Sequence, residues 1–358
     1  MHDVIIAGGG VAGCYMASKL EGLDVLILEK DRKIALKDSG IVSTKIDKFF
    51  GSKDIVENEI KIMECIGPSE TSFFLRSDKP FAYLLKRKKF SGFLRREAKK
   101  NADILYEKIE DIEIKNTVKV KTNKGEHECK LLIGADGASS TVRRKLRIED
   151  PKLVLGIMAK TGKSSKEHIR TYFNKKYSQD FYSWVIPLSG EYGLISGKNT
   201  KENLEAFRND ISLKKGKIFT ALIPIGYTKS YSNRAILIGD ACGMTKPLTG
   251  GGIVFSLTAC EHAESIVRKA FEKNRFDGKI LQEYEKRWKK DFGKEIKKQL
   301  MIRNFYKKLT NEKIDKIFRD YGKYIENLKE FDYDKFTKSW KKLPKSKILN
   351  TFIEIMFA

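Results

Sequence analysis

A glycine-rich turn near the start of the chain has the spacing of a phosphate-binding loop. Residues 8–13 read GGGVAG, open a helical pattern after an apolar run, and are followed about 20 residues later by the acid Glu29. In such a turn Gly8, Gly10 and Gly13 allow a tight bend and close approach of the backbone to a pyrophosphate at the helix N-terminus. The Glu29 carboxylate can accept hydrogen bonds from ribose hydroxyls and would repel a 2′-phosphate. The segment therefore predicts a dinucleotide site.

Two later segments also place polar residues at the end of an apolar run. Residues 133–143 read IGADGASSTVR. Asp136 follows a predicted strand, and the serine and threonine hydroxyls after it can cap a helix. Residues 235–242 read AILIGDAC, and residues 247–253, PLTGGGI, then enter a helix. We interpret Asp136 as structural, holding its loop by accepting backbone hydrogen bonds. Each segment alone is an ordinary strand-to-loop turn, but the occurrence of the glycine-rich turn and these segments in this order is a specific sequence signal.

The elements that must position these segments follow from the apolar periodicity. The opening residues predict a βαβ unit, and residues 151–229 carry aromatic and β-branched runs between turns, which predicts an inserted antiparallel sheet. From Thr258 onward the pattern is helical. We expect an α/β (α+β) fold with interleaved domains: a Rossmann-type dinucleotide-binding domain over 1–70, 88–150 and 230–275, an antiparallel-sheet substrate domain over 71–87 and 151–229, and a helical region over 276–358.

The helical region carries an apolar stripe on a basic helix. Its members repeat every fourth residue, a spacing typical of one helix face, and we expect them to pack against the protein rather than to bind lipid. The stripe consists of Tyr284, Trp288, Phe292, Ile296 and Leu300.

The composition bounds the classes of function. The chain has 358 residues, with 71 Lys and Arg against 47 Asp and Glu, a formal net charge of +24. This charge favours an anionic partner surface, or reflects a lysine-rich surface alone. Neither a signal peptide nor an apolar run of about 18 residues is present, so we expect a cytoplasmic location. Five scattered cysteines and four scattered histidines predict neither a disulfide framework nor a metal site. Nucleic-acid binding is not expected, because the sequence has no motif of that class.

Together the three segments resemble the FAD signatures of the aromatic-hydroxylase-type flavoproteins, over most of residues 1–275. Within that superfamily, residues 84–94 (LLKRKKFSGFL) and 182–187 (YSWVIP) are most similar to the geranylgeranyl reductases, which saturate isoprenoid double bonds in archaea and photosynthetic organisms. The archaeal digeranylgeranylglycerophospholipid reductases belong to this group. Its patterns are RxxFDxxL and YxWxFP, and here Ser91 replaces the aspartate of the first and Ile186 the phenylalanine of the second.

The resemblance implies FAD as the cofactor and assigns a role to individual residues. Tyr182 and Trp184 alternate along a predicted strand and so point to one face, which we interpret as a wall of an apolar substrate cavity; filling of an interdomain core is the alternative. Residues 38–43 lack the cysteine that many of these reductases carry near the flavin, so a thiol mechanism does not transfer. The implied FAD contacts are Gly10 and Ala12 on the pyrophosphate, Glu29 on the adenosine ribose, Ser39 and Ile41 beside the ring, Arg87 on the cofactor, Asp240 on the ribityl chain or pyrophosphate, and Gly252 with Ile253 at the pyrimidine edge.

The activity implied is hydride transfer from reduced flavin to a geranylgeranyl double bond, with a proton added to the other carbon. No side chain stands out as the proton donor; Tyr182, water and flavin are the candidates. An aromatic monooxygenase is the alternative, since the same signatures serve it. A flavin-dependent halogenase is a third, because YSWVIP also resembles the WxWxIP segment of that family.

The expected partners are an isoprenoid lipid of the archaeal ether type, an anionic membrane surface and an electron donor. The donor remains open among reduced ferredoxin, NAD(P)H and others. Residues 335–347 hold six lysines and no acid, and residues 348–357 are almost wholly apolar. This tail predicts either peripheral binding at the inner face of the cell membrane or a docked terminal helix.

Overall fold

The computed structural model describes the chain except for short gaps and the C-terminal tail. The described residues are 1–33, 38–51, 53–162, 164–179, 181–328, 332–335 and 337. The strands are β1 His2–Ala7, β2 Val25–Glu29, β3 Ile41–Ser43, β4 Val56–Ile60, β5 Ile62–Ile66, β6 Ser72–Arg76, β7 Ala82–Leu85, β8 Ala102–Tyr106, β9 Ile109–Ile114, β10 Val118–Thr122, β11 Glu126–Gly134, β12 Lys152–Lys160, β13 Ile169–Tyr172, β14 Ser183–Ile186, β15 Glu191–Ser196, β16 Lys217–Ile225, β17 Tyr231–Ser232 and β18 Ala235–Leu237. The helices are α1 Val11–Ser18, α2 Arg87–Ala98, α3 Thr141–Lys145, α4 Thr200–Asp210, α5 Ile253–Glu272, α6 Gly278–Trp288, α7 Lys294–Tyr306 and α8 Asn311–Glu326.

The chain divides into two compact units, each built from three segments. The first unit contains residues 1–36, 86–153 and 223–297, and the second contains residues 37–85, 154–222 and 298–358.

The first unit is built on a mainly parallel sheet of order β17-β18-β11-β1-β2-β8, extended from β11 by the antiparallel strands β10 and β9. Strand β1 is parallel to both of its neighbours, and Ile6 lies in register with Ile27 and Ile133. The apolar runs of β1, β2 and β11 are buried, as expected for parallel strands covered on both faces. Parallel strands bring their carboxyl ends to one edge of the sheet, so β1, β11 and β18 deliver the three glycine-containing segments to the same edge.

The second unit is built on a sheet of order β16-β12-β15-β14-β13-β5-β6, with a small sheet β3-β7-β4. The large sheet is antiparallel at β12–β15, β15–β14, β14–β13 and β5–β6, while β13 runs parallel to β5. One face of the large sheet packs on α4, where Val185 and Leu194 meet Leu204 and Phe207. The opposite face carries Trp184 and the residues in register with it.

The units differ from the domain boundaries expected from the sequence. Residues 37–70 belong to the second unit, because β3 and β4 pair with β7 and β5 pairs with β6 and β13. The C-terminal helices do not form a separate region: α6 belongs to the first unit and α8 to the second, where Phe318 packs against Phe73. Strand partners far along the chain decide these memberships, and no sequence pattern marks them.

The apolar stripe packs against the protein, as predicted: Leu300 is half-buried, and the other four members are buried. Trp288 and Phe292 stack with ring centroids 5.3 Å apart, and Phe292 also stacks on Phe255 at 4.6 Å. A π-helical turn, Lys289–Gly293, interrupts the helix at this point. Among the described residues, no helix is both long and apolar enough to span a membrane, and no group of acids, histidines and cysteines could hold a metal ion. Residues 338–358, which contain most of the predicted basic and apolar tail, lie outside the described residues.

Candidate functional site

The first signature forms a turn in which each glycine has a different physical role. Gly8 has a φ of +98°, and a Cβ there would lie 2.6 Å from the backbone oxygen of Ala135. A Cβ on Gly13 would lie only 1.9 Å from the backbone oxygen of Gly8, so this position accepts no side chain. A Cβ on Gly10 would meet nothing within 4 Å, and Gly10 is exposed. Gly8 and Gly13 therefore allow the backbone of the turn to pack closely, and Gly10 leaves open space at the start of α1.

This open helix start fits the pyrophosphate of FAD. Gly10 occupies the N-cap position of α1 and has no side chain that could cap the amides of the first turn. Those amides belong to Val11, Ala12 and Gly13, and the partial positive charge of the helix end favours an anion in front of them. The predicted pyrophosphate contacts, Gly10 and Ala12, are thus placed at a helix N-terminus with room beside it.

Glu29 lies next to this turn, at the end of β2. Its Oε2 accepts a hydrogen bond from the Gly9 amide at 2.7 Å, and its Oε1 accepts one from the Asp31 amide at 3.0 Å. A carboxylate oxygen can accept two hydrogen bonds, so each oxygen keeps capacity for a ribose hydroxyl. The carboxylate is therefore oriented by the backbone and remains able to take its predicted role.

The second signature is organised by Asp136. Its carboxylate accepts hydrogen bonds from the Ser140 hydroxyl at 2.6 Å and from the amides of Thr141 and Val142 at 2.6 and 3.1 Å. Ser140 in turn caps α3 by accepting from the Arg143 amide at 2.9 Å. Asp136 thus holds the loop against the start of α3, as the sequence predicted.

Arg143 joins the second signature to the third, a role that sequence reasoning missed. Its side chain is fully buried, and Nη1 donates to the backbone oxygen of Ala241 at 2.7 Å while Nη2 donates to that of Ala138 at 3.0 Å. Its Nε also donates to Asp150 at 2.7 Å. An arginine inside a loop-to-helix turn was a visible signal, but only the fold shows which carbonyl groups it reaches.

The third signature lies against the first. A Cβ on Gly239 would lie 3.6 Å from that of Ala12, and the thiol of Cys260 contacts the Ala12 backbone oxygen at 3.4 Å. The Asp240 carboxylate lies 3.2 Å from where a Cβ on Gly252 would stand. Gly252 is the N-cap residue of α5, and Ile253 is the first residue of that helix. The first unit therefore gathers Ala12, Asp240, Gly252 and Ile253 around the start of two helices.

Arg87 also belongs to the first unit and starts α2. It is buried, and its Nη1 donates to the Ser91 hydroxyl at 3.2 Å. Ser91 occupies the aspartate position of the RxxFDxxL pattern, so Arg87 meets a neutral hydroxyl at that position.

The remaining predicted residues lie in the second unit. Ser39 is half-buried beside Gly40, which has a φ of +83° and accepts from the Leu85 amide at 3.0 Å through its backbone oxygen. Ile41 and Trp184 both pack against one apolar cluster, so the unit brings together a predicted ring-side residue and a predicted substrate residue. The cluster consists of Ile60, Phe81, Ala82, Leu84, Ile169 and Ile186.

Trp184 owes its orientation to a glycine on the neighbouring strand. A Cβ on Gly193 would lie 2.5 Å from Cζ2 of the Trp184 indole, so the ring lies across β15 where no side chain stands. Tyr182 precedes β14 and contacts Trp184 edge to face, with ring centroids 6.3 Å apart. Burial holds the pKa of Tyr182 well above its usual value, which makes this phenol a poor proton donor near neutral pH.

A second residue that sequence reasoning missed is Glu191, the first residue of β15. It is 1 % exposed, and its Oε1 accepts from the Trp184 indole Nε1 at 3.3 Å. The Lys160 Nζ lies 3.4 Å from its Oε2. Burial raises the pKa of the Glu191 carboxyl, and Lys160 opposes part of that effect. An acid that opens an otherwise apolar run was the available signal, but strand register supplies its partners.

Comparison with known proteins identifies the family. The sequence family described as tryptophan halogenase matches residues 57–331. An uncharacterised protein of Methanocaldococcus jannaschii is 30% identical over 348 residues, covering 90% of this chain and 88% of its own. Digeranylgeranylglycerophospholipid reductase 2 of Methanothermobacter thermautotrophicus is 28% identical, covering 95% of this chain and 97% of its own.

Solved structures share the fold. A geranylgeranyl bacteriochlorophyll reductase-like protein of Thermoplasma acidophilum superposes with a TM-score of 0.83 at 21% identity, covering 98% of this chain and 99% of its own. The p-nitrophenol 4-monooxygenase of Pseudomonas putida gives 0.74 at 17% identity, covering 96% and 98%. A halogenase in complex with phloroglucinol and FAD gives 0.67 at 16% identity, covering 93% and 87%.

These comparisons confirm the predicted fold class, the enzyme class of flavin-dependent oxidoreductase and FAD as the cofactor of the fold. The family model that matches is described as tryptophan halogenase, the third of the three functions that the sequence suggested. The named relatives, by contrast, are reductases. The chain therefore belongs to the tryptophan halogenase family, and the resemblance to geranylgeranyl reductases that its sequence predicts is confirmed.

Proposed function

We propose that this protein is an FAD-dependent reductase that saturates the carbon–carbon double bonds of geranylgeranyl chains, in archaeal-type ether lipids. The observation that carries the proposal is the sheet face of the second unit, where Trp184 borders a buried apolar cluster. Relatives that match nearly the whole chain and are named for a geranylgeranyl lipid support the same class of substrate.

The residues of the first unit that would hold FAD are those with the geometry described above. The first-turn amides of α1 would bind the pyrophosphate, Glu29 the adenosine ribose, and Asp240 the ribityl chain. The start of α5, at Gly252 and Ile253, would face the pyrimidine edge, where a helix N-terminus stabilises negative charge on reduced flavin. When bound, FAD supplies the two electrons of the reduction as a hydride.

The second unit would hold the lipid chain. An isolated double bond is unactivated, so addition of a proton generates positive charge on a tertiary carbon, and water at that point would trap it. Ile186, Ile169 and Leu84 line the Trp184 face with aliphatic groups, which exclude water. The indole presents a π surface, which stabilises a neighbouring cation.

The test is an anaerobic reaction of photoreduced protein with a geranylgeranyl glycerol ether lipid. We expect the flavin to reoxidise and the lipid to gain mass in steps of two hydrogens. A requirement for oxygen, with oxygen found in the product, would instead establish a monooxygenase.

Flavin-dependent halogenation is the second candidate, because the family match carries that name. It requires oxygen and a halide ion, and neither is needed for reduction of a double bond. Reaction mixtures with and without chloride or bromide, under air, separate the two. A halide-dependent mass gain on an aromatic substrate would favour this candidate.

We further propose that the protein works at an anionic membrane surface and receives electrons from reduced ferredoxin, NAD(P)H or another donor. The net charge of +24 supports the surface, since each lysine or arginine near anionic lipid contributes about 1 kcal/mol. Co-sedimentation with anionic and neutral vesicles should show binding to the anionic ones alone, and salt should weaken it. A chain ending at Leu343 tests the tail, and equal binding to both vesicle types would refute the proposal.

A further inference from the structure

One acid is buried on the Trp184 face of the second unit. Strand register places Glu191 of β15 beside Ile186 of β14 and Lys160 of β12, so the three side chains share a face. The Glu191 Oε1 accepts from the Trp184 indole at 3.3 Å. Its Oε2 is buried and, among the described residues, makes no hydrogen bond, although the Lys160 Nζ lies 3.4 Å away.

Few polar groups surround this carboxyl. Lys160 faces it from β12, the Trp184 indole N–H faces it from β14, and the charge of Asp38, before β3, acts on it more weakly. Burial disfavours the carboxylate, Asp38 repels it, and Lys160 with Trp184 stabilises it; the balance raises the pKa of Glu191. The group therefore keeps its proton to a higher pH than an exposed carboxyl does.

Lys160 connects the buried acid to water. The Glu191 side chain is 0% exposed, whereas that of Lys160 is 32% exposed while its Nζ contacts Oε2. A proton lost from Oε2 leaves a carboxylate beside the Lys160 ammonium group, whose positive charge offsets part of the cost of burying that carboxylate. Proton exchange between solvent and Lys160 then restores the acid.

We propose that Glu191 is the proton donor of the reduction, with Lys160 as the group that recharges it; this inference rests on the proposed function. The O–H bond of the Glu191 carboxyl breaks as a C–H bond forms at one alkene carbon. The electron pair and hydrogen of the second C–H bond arrive as the hydride that reduced flavin supplies. The product is the saturated chain, and the Glu191 carboxylate regains a proton from solvent through Lys160.

The first experiment measures anaerobic single-turnover reoxidation of the photoreduced flavin by the geranylgeranyl ether lipid. We expect Glu191→Gln to slow the step by about 100- to 10,000-fold, the usual contribution of a general acid. FAD content and photoreduction should be unchanged, because neither involves this acid. Glu202→Gln, which removes an exposed acid of the same unit, is the matched control and should react like the wild type.

The second experiment compares pH profiles of the same step. Above the pKa of Glu191 the proton is absent, so the rate should fall on the alkaline side. Lys160→Met removes the cation that lowers this pKa, so its alkaline limb should move to higher pH. This shift tests the proposal even if Glu191→Gln does not fold.

The third measurement needs no substrate. Infrared spectra of the protein should contain a protonated carboxyl band that shifts in D₂O and is missing in Glu191→Gln. If the wild type leaves the lipid unreduced, the proposed function fails, and this inference with it. If the wild type reduces the lipid but Glu191→Gln reacts as fast, or Lys160→Met leaves the pH profile unmoved, the inference alone is overturned.

Discussion

The two units place their key carboxylates, Asp136 and Glu191, in contrasting surroundings. In the first unit Asp136 accepts three hydrogen bonds at 2.6 to 3.1 Å from residues four to six positions along the chain. In the second unit Glu191 has two longer contacts, at 3.3 and 3.4 Å, both with side chains of neighbouring strands. A carboxylate that accepts several short hydrogen bonds from the turn that follows it serves to fix a loop. One with few donors in an apolar setting is poised to exchange a proton.

The same contrast holds for the glycines. Gly13 is required by a backbone oxygen of its own turn, whereas Gly193 is required by the ring of Trp184 on another strand. Local geometry thus fixes the glycine turn of the first unit, and packing between neighbouring strands fixes the Trp184 ring in the second unit. Substitutions in the two units should therefore impair different properties of the protein.

The largest effect is expected at Arg143, which ties two signatures of the first unit together. Arg143→Met removes the donors to the backbone oxygens of Ala138, which is half-buried, and Ala241, which is fully buried. We expect the free energy of unfolding to fall by about 1–3 kcal/mol for each carbonyl group left without a hydrogen-bond donor. Chemical denaturation of the FAD-loaded protein measures it. Stability within error of the wild type would show that the signatures hold together without this side chain.

The next effect separates the packing role of the buried Gly13 from the open space beside the exposed Gly10. Gly13→Ala places a Cβ 1.9 Å from the Gly8 backbone oxygen and should lower the free energy of unfolding by about 1–3 kcal/mol or more. Gly10→Ala meets no atom within 4 Å and should leave stability nearly unchanged while weakening FAD retention. Thermal denaturation and FAD titration distinguish the two. Normal FAD affinity in Gly10→Ala would show that the pyrophosphate does not approach this residue.

In the second unit the corresponding substitution is Gly193→Ala. Its Cβ would lie 2.5 Å from the Trp184 ring and 2.6 Å from the backbone oxygen of Ile157, so the indole must move. We expect a loss of about 1–3 kcal/mol in stability. Unlike Gly13→Ala, this variant should retain FAD but lose activity on the lipid. Retained lipid reduction would argue that the orientation of Trp184 is unimportant for the substrate.

The smallest effect concerns the pH dependence of stability. Because the pKa of Glu191 is raised in the folded protein, the folded state binds more protons than the unfolded state above the usual Glu pKa of about 4.3. The stability that this group contributes is present at lower pH and is lost as pH rises through its folded pKa. Denaturation of wild type and Glu191→Gln over this range should show the wild type losing stability relative to the variant. Parallel curves would mean that the carboxyl is not perturbed.

Much of the first unit could be predicted from the sequence. The glycine turn, Glu29 and the loop role of Asp136 depend on residues close together in the chain, so their spacing carries the geometry. The boundary at residues 37–70 could not be predicted, because the pairing of β3 and β5 with strands much further along decides it.

In the second unit the sequence pointed to Trp184 but not to its partners. Glu191 and Lys160 become neighbours only when β12, β14 and β15 align, and a shift of one residue would turn Glu191 to the face packed on α4. By itself, then, the sequence determined the dinucleotide turn, the FAD signatures and the family resemblance, since local spacing sets backbone geometry. The tertiary structure alone decided which acid is buried beside the tryptophan, because strand register joins residues that no local pattern connects.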